Sequence, residues 1–192
     1  MKRDELAAGI REAAYLEGDF VLRSGRHSTY YLDKYRFETR PELLQPLGEQ
    51  LAALVAEHEP DAVRLAAPEL GAVAIAAATS LVSGLPFVIV RKEAKEYGTA
   101  NRLEGAFEPG ERVCLIEDVV TSGGAAVAAV EALREAGLEC RTAVCVVDRE
   151  EGGRTASRAA RPAWLRCFGQ ESWLRRRKVQ QNRMVEPKWA AC

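Results

Sequence analysis

Val113-Cys-Leu-Ile-Glu-Asp-Val-Val-Thr-Ser-Gly-Gly-Ala-Ala-Val-Ala-Ala-Val-Glu-Ala-Leu133 is the stretch that decides the fold. An apolar run, 112–118, reads as a buried strand and ends in two adjacent carboxylates, Glu117 and Asp118. A Thr121-Ser-Gly-Gly124 turn follows, and the spacing predicts a helix over 124–136 that stops at Gly137. A helix start leaves backbone N–H groups without partners and carries partial positive charge, so it suits a phosphate. Gly123 and Gly124 let the backbone come close to such a group. The hydroxyls of Thr121 and Ser122 add donors. Two acids at the carboxyl edge of a parallel sheet can accept from the vicinal hydroxyls of a sugar. Residues Glu117, Asp118, Val119, Val120, Thr121, Ser122, Gly123, Gly124 and Ala125 thus read as a ribose-5-phosphate cradle. The Lys of a Walker A loop and the G-x-G-x-x-G of a dinucleotide site are both missing from it. A Gly-Gly turn alone fits an ordinary strand–turn–helix whose acids cap the helix.

Outward from this stretch, strands and helices alternate. Short apolar runs at 62–66, 86–91 and 142–148 read as strands, and 71–82 as an Ala-rich helix stopped by Gly84. Nearly continuous apolar strands suit a parallel sheet covered on both faces, and the alternation indicates an α/β domain. Upstream, Leu6, Ile10, Ala13 and Ala14 mark one face of a helix over 4–16. Residues 20–37 read as a hairpin or two short strands turning at Ser24–Gly25. Thr39, Pro41 and Glu42 spell a capping box for a helix that runs to about Glu57, with Leu43, Leu47, Leu51, Leu54 and Val55 on one face. About 20 residues between Arg91 and Arg112 show no helical pattern, a length that suits a lid or a solvated charged hairpin.

The bulk properties bound the rest. The chain has 192 residues, 47% of them hydrophobic, enough for one domain with a core. A net charge of -1 gives no sign of a bulk nucleic-acid binder. The five cysteines form no C-x-x-C pair and read as reduced thiols of a cytoplasmic protein. The N-terminus has no signal-peptide pattern, and no run reaches the ~20 apolar residues of a membrane span. Residues 174–192 form a basic tail outside the domain of residues 1–173, either a loose terminus or a contact for nucleic acid or an acidic partner.

The full string Glu117-Asp-Val-Val-Thr-Ser-Gly-Gly124 resembles the signature of the type I phosphoribosyltransferases, which take phosphoribosyl pyrophosphate (PRPP) as donor. Three further segments narrow the resemblance to the orotate phosphoribosyltransferases: Phe20–Asp33, Arg91–Gly98 and Val147–Gly153. The resemblance implies an α/β fold with a mostly parallel central sheet flanked by helices. It also implies a small hood from residues 1–38, a PRPP-binding core over 60–150 and a mobile lid loop. The activity it implies is the conversion of orotate and PRPP to orotidine 5′-phosphate and pyrophosphate, with Mg²⁺ as cofactor. Mg²⁺ would be held mainly by PRPP, without direct protein ligation, and Asp118 would touch it through water.

The same resemblance distributes roles. Arg91, Lys92 and Lys95 of the lid, with Asp118, would be catalytic. Glu69, Leu70, Gly71 and Tyr97 would join the cradle in binding PRPP. Arg149 would pair with the carboxylate of orotate, aided by Thr121, Arg23, Ser24 and Gly25, with Phe37 stacking on the base. The family commonly shares its lid across a homodimer. The chain departs from the pattern at Arg23, where Lys is common, and at Tyr97, where His is common. Segment 67–72 lacks the Lys that some members carry there. Two other readings stay open at this point: a phosphoribosyltransferase for another base, and a PRPP-binding regulator without catalysis.

Overall fold

The computed structural model describes residues 1–21, 25, 27–93, 102–151 and 163–169. It opens with helix α1 (Arg3–Ala14), strands β1 (Tyr15–Val21) and β2 (His27–Leu32), the single turn α2 (Tyr35–Glu38) and helix α3 (Pro41–His58). Then come β3 (Arg64–Pro68), α4 (Gly71–Ser83), β4 (Phe87–Val90) and β5 (Leu103–Glu104). The chain continues through β6 (Arg112–Val120), α5 (Gly124–Glu135), β7 (Glu139–Asp148) and β8 (Ala163–Gly169).

Six strands form the central sheet in the order β5-β4-β3-β6-β7-β8. The β4–β5 pair is antiparallel and the other pairs are parallel. Side chains alternate between its two faces, as the pleat requires. Leu65, Cys114, Ile116 and Val144 pack under α1, α3 and α4. Val113, Leu115 and Ala143 pack under α5. Both faces are therefore covered, which explains why the central strands read as unbroken apolar runs. β1 and β2 pair separately as a two-stranded antiparallel sheet, while α1 lays Leu6 and Ile10 in the main core.

Strand β3 feeds α4 and then β4 on one side, whereas β6 lies on its other side and leads through α5 to β7. The order in which strands are added thus reverses between β3 and β6, which themselves run parallel. In open α/β sheets the crevice outside the strand ends at such a point is the usual ligand site.

Several expectations need correction. Thr39 does not cap α3: its hydroxyl donates to the Tyr35 carbonyl at 2.7 Å, one turn back, and Arg40 is the N-cap without a side-chain bond. The reason is that residues 35–38 already form a helical turn, whose open carbonyl takes the hydroxyl. Those same residues are helix rather than hairpin, and β1 starts at Tyr15, earlier than expected. β7 begins at Glu139 because Glu139 and Cys140 pair with Arg112 and Val113, a start that polar residues hide. β5 is only two residues long and so gives no periodic signal, and β8, though mostly apolar, is a strand beyond those expected, defined by its pairing with β7.

Phe37 is likewise not a base-stacking residue. It is fully buried in the core with Leu6, Ile10 and Leu47. The helical turn of α2 points its ring inward, where burial of an aromatic face is worth more than exposure to a crevice. We expect Phe37→Ala to lower unfolding free energy by about 3–5 kcal/mol in urea titrations. A Phe37→Leu chain should retain the parent KM for its base; a large rise in that KM would restore the stacking role.

Candidate active site

The site assembles at the switch point, from the carboxyl ends of β3, β4, β6 and β7 and from α2. Glu117 and Asp118 sit near the end of β6 and are 7% and 2% exposed. The Asp118 amide donates to Glu117 Oε1 at 3.3 Å, and the Val119 amide donates to Asp118 Oδ1. Glu117 Oε2 is buried without a hydrogen-bond partner.

Beyond Val120 the chain turns through exposed Thr121 and Ser122. Gly123 takes a left-handed conformation (φ 78°) as N-cap, and α5 starts at Gly124. No side chain caps this helix, so its first amides are open toward a ligand, as an anion cradle needs. Thr121, Ser122, Gly124 and Ala125 are exposed, in keeping with a surface that meets substrate.

The loop Glu69–Gly71 leaves β3 directly beside the acid pair, and its Glu69–Leu70 peptide is cis. Gly71 is required by close approach: a Cβ there would lie 1.8 Å from Asp118 Oδ2 and 2.6 Å from Lys34 Nζ. Leu70 projects outward and is 69% exposed. Glu69 ties this loop to the end of β4. It accepts from the Lys92 amide at 2.8 Å and lies 3.8 Å from the Arg91 guanidinium. Arg91 also reaches Glu104 at 3.5 Å.

At the end of β7, the Arg149 amide donates to the Val120 carbonyl at 2.9 Å, which locks β7 to the cradle strand. Its side chain is largely buried and pairs with Glu151 at 2.8 Å. It also donates to the Tyr30 hydroxyl at 3.2 Å. A column of rings supports it from the hood. The guanidinium lies 5.4 Å from the Tyr30 ring centre, Tyr30 stacks on Tyr15 at 5.4 Å, and Arg11 lies 4.3 Å over Tyr15. Each contact combines apolar burial with a cation–π or stacking attraction.

Three residues here escape sequence reasoning: Lys34, Glu38 and Tyr30. Lys34 forms an ion pair with Asp118. Glu38, one turn later, is 3% exposed, and its Oε1 has no hydrogen-bond partner. The i, i+4 spacing of a Lys and a Glu beside a hairpin is the one signal that points to them, and on a surface helix it means little. Lys95, Tyr97, Arg23, Ser24 and the basic tail lie outside the described residues. Gly25 is described, with φ 79°, in the connection between β1 and β2.

The cluster is electrostatically crowded. Burial, with the Asp118 charge beside it, pushes Glu117 up to about 8. The same two causes push Glu38 up to about 8. Burial would lower Lys34, but the charge of Asp118 and its hydrogen bond outweigh that and raise it. Near neutral pH the cluster therefore favours two protonated acids beside a Lys34–Asp118 ion pair.

Both raised acids hold a proton when folded at pH values where the unfolded chain has released it. Folding takes up protons between about pH 4.5 and about pH 8, so stability falls as pH rises through that window. We expect Glu38→Gln to flatten this fall in denaturant titrations run from about pH 5 to about pH 8. An unchanged pH slope would remove Glu38 from the cause.

Comparison with known proteins agrees with this geometry. The phosphoribosyl transferase domain family matches residues 39–160. The orotate phosphoribosyltransferase of Methanocella arvoryzae is 52% identical over 137 residues, covering 71% of this chain and 77% of that protein. A crystal structure of the Mycobacterium tuberculosis orotate phosphoribosyltransferase in complex with Fe(III) dicitrate superposes with a TM-score of 0.79 at 31% identity, over 89% of this chain and 98% of that one. The same enzyme in complex with PRPP gives a TM-score of 0.75 at 29% identity, over 89% and 98% of the two chains. By its switch-point cradle, its parallel sheet and these likenesses, the chain belongs to the orotate phosphoribosyltransferase family, on the type I phosphoribosyltransferase fold.

Proposed function

We propose that this chain transfers the phosphoribosyl group of PRPP to the ring nitrogen of orotate, yielding orotidine 5′-phosphate and pyrophosphate in pyrimidine nucleotide synthesis. One observation carries the reading. An acid pair, an uncapped helix start and a buried arginine converge where the strand order reverses.

Each group has a task suited to its chemistry. The open amides and hydroxyls of 121–125 receive the 5′-phosphate. Glu117 and Asp118 bind the ribose hydroxyls, and a protonated Glu117 can donate as well as accept. Arg91, Lys92 and Lys95 gather at the diphosphate, where negative charge grows as the C1–O bond breaks and its electron pair leaves with pyrophosphate. The ring nitrogen of orotate forms the new bond to C1 and gives up its N–H proton, which the departing pyrophosphate or solvent takes up. The electron-poor ring makes that N–H acidic, so little general-base help is needed beyond a phosphate oxygen or water. Arg149 presents a planar fork to the orotate carboxylate, and Glu151 holds that fork in the free chain. Closure of the loop Arg91–Gly98 over the crevice would exclude water from an oxocarbenium-like ribose.

The residues fit a substrate-borne Mg²⁺. The acids at the crevice, Glu117 and Asp118, are hard oxygen donors, the ligand type Mg²⁺ prefers. Mg²⁺ commonly takes one or two carboxylates together with substrate phosphates. Asp118 is the carboxylate that would meet it through water, and when bound the ion neutralises diphosphate charge. We further propose a cytoplasmic homodimer with lids shared between subunits. No helix among the described residues is long and apolar enough to cross a membrane.

The test follows orotate absorbance with purified protein, PRPP and Mg²⁺. We expect turnover that stops on chelation of Mg²⁺. Arg149→Ala should lower kcat/KM for orotate roughly 10- to 100-fold, the loss of a charge-assisted pair, with little change in the KM for PRPP. A folded protein that leaves orotate untouched but consumes PRPP with another base would replace the reading.

A further inference from the structure

The loop that faces the diphosphate carries no cation of its own. Residues Ala67–Ala72 contain one charged side chain, and it is the acid Glu69. Arg91, at the end of the next strand, is shared between Glu69 and Glu104. The ammonium at the Gly71 end of this loop comes from elsewhere in the sequence. Lys34, the N-cap residue of α2, brings Nζ against Gly71 and onto Asp118.

Its exposure differs from that of its partner. The Lys34 side chain is 34% exposed and the Asp118 side chain 3%. The ammonium thus stands at the crevice wall, while the carboxylate lies behind it. An ammonium has three donors and a flexible stem, and one donor is given to Asp118. Partial exposure spares the ammonium the full cost of desolvation and leaves it at the surface of the crevice, where donors beyond the one given to Asp118 can meet a ligand.

We propose that Lys34 is a catalytic residue of this site, the cation that receives the diphosphate of the donor. The inference rests on the phosphoribosyl-transfer reading above. In the free chain Lys34 neutralises Asp118. When the ribose hydroxyls of the donor take up Asp118, the ammonium turns toward the diphosphate on the Gly71 side. The start of α4 adds its partial positive charge there. As the C1–O bond breaks, its electron pair stays on the departing oxygen. Lys34 keeps its proton throughout and stabilises that charge through N–H···O bonds. One side chain thereby links occupancy of the ribose site to completion of the diphosphate site.

Lys34→Met leaves Asp118, Glu117 and Glu38 without their cation, so Lys34→Met/Glu38→Gln removes one acid together with the ammonium. Calorimetry with inorganic pyrophosphate and Mg²⁺ reads the diphosphate site without any base. We expect the double variant to bind pyrophosphate about 10- to 100-fold more weakly than Glu38→Gln alone. kcat/KM for PRPP should fall by a similar factor while the KM for orotate changes little, and Lys34→Arg should recover most of both. Parent-like pyrophosphate affinity in a folded double variant would overturn the proposal and leave Lys34 as a counter-ion. A parent chain that binds pyrophosphate but does not consume orotate would instead overturn the choice of base and leave Lys34 standing.

Discussion

Three carboxylates, Glu38, Glu117 and Asp118, share a nearly dry space with one ammonium, Lys34. An unpaired charge in such a place is strongly disfavoured, so two of the acids favour their protonated forms and the third keeps the lysine. Much of the nearby structure follows from this constraint. The β3–α4 loop must pass with no side chain at Gly71, because a Cβ would collide with Asp118. α2 must hold Lys34 and Glu38 one turn apart and facing β6. The hood is therefore tied to the sheet by charge as well as by apolar contact.

The fold places these groups at the one edge where they can act together. Strands β3 and β6 are neighbours in space although α4, β4 and β5 separate them in sequence. Their following loops leave in opposite directions and open a crevice between them. The acid pair, the uncapped start of α5 and the Glu69–Gly71 loop line it from three sides. Rigid parallel strands hold the acids and Arg149 in place.

The column of Arg11, Tyr15, Tyr30 and Arg149 gives the hood a second purpose. Tyr15 and Tyr30 are diagonal neighbours on the β1–β2 ribbon, where Glu17 is the direct partner of Tyr30. Such diagonal pairs are within reach of large rings. Stacked, they present a flat surface to the Arg149 guanidinium and a hydroxyl to its Nη2. A long side chain that would otherwise sample many rotamers is thus held in one orientation, with its planar guanidinium fixed at the end of β7.

Local chemistry made much of this legible in the sequence. The strand–acid–acid–turn–Gly-Gly–helix order of 113–133 is a short-range pattern, and so are the apolar runs of β3, β4, β6 and β7. Helix stops at Gly84 and Gly137 depend on neighbouring residues alone. Other features depend on partners far along the chain. The inward turn of Phe37, the use of Thr39 to close α2, the early start of β7 and the pairing of β8 each needed a neighbour that no local window contains. Lys34 and Glu38 look like an ordinary surface pair until α2 is laid against β6, 84 residues away for the Lys34–Asp118 contact. The parallel α/β class and the acid–acid–Gly-Gly turn are written in short stretches of the chain, because backbone periodicity and turn chemistry act over a few residues. Which charges come to share a dry space depends on packing, because burial and electrostatic partnership are properties of the folded chain.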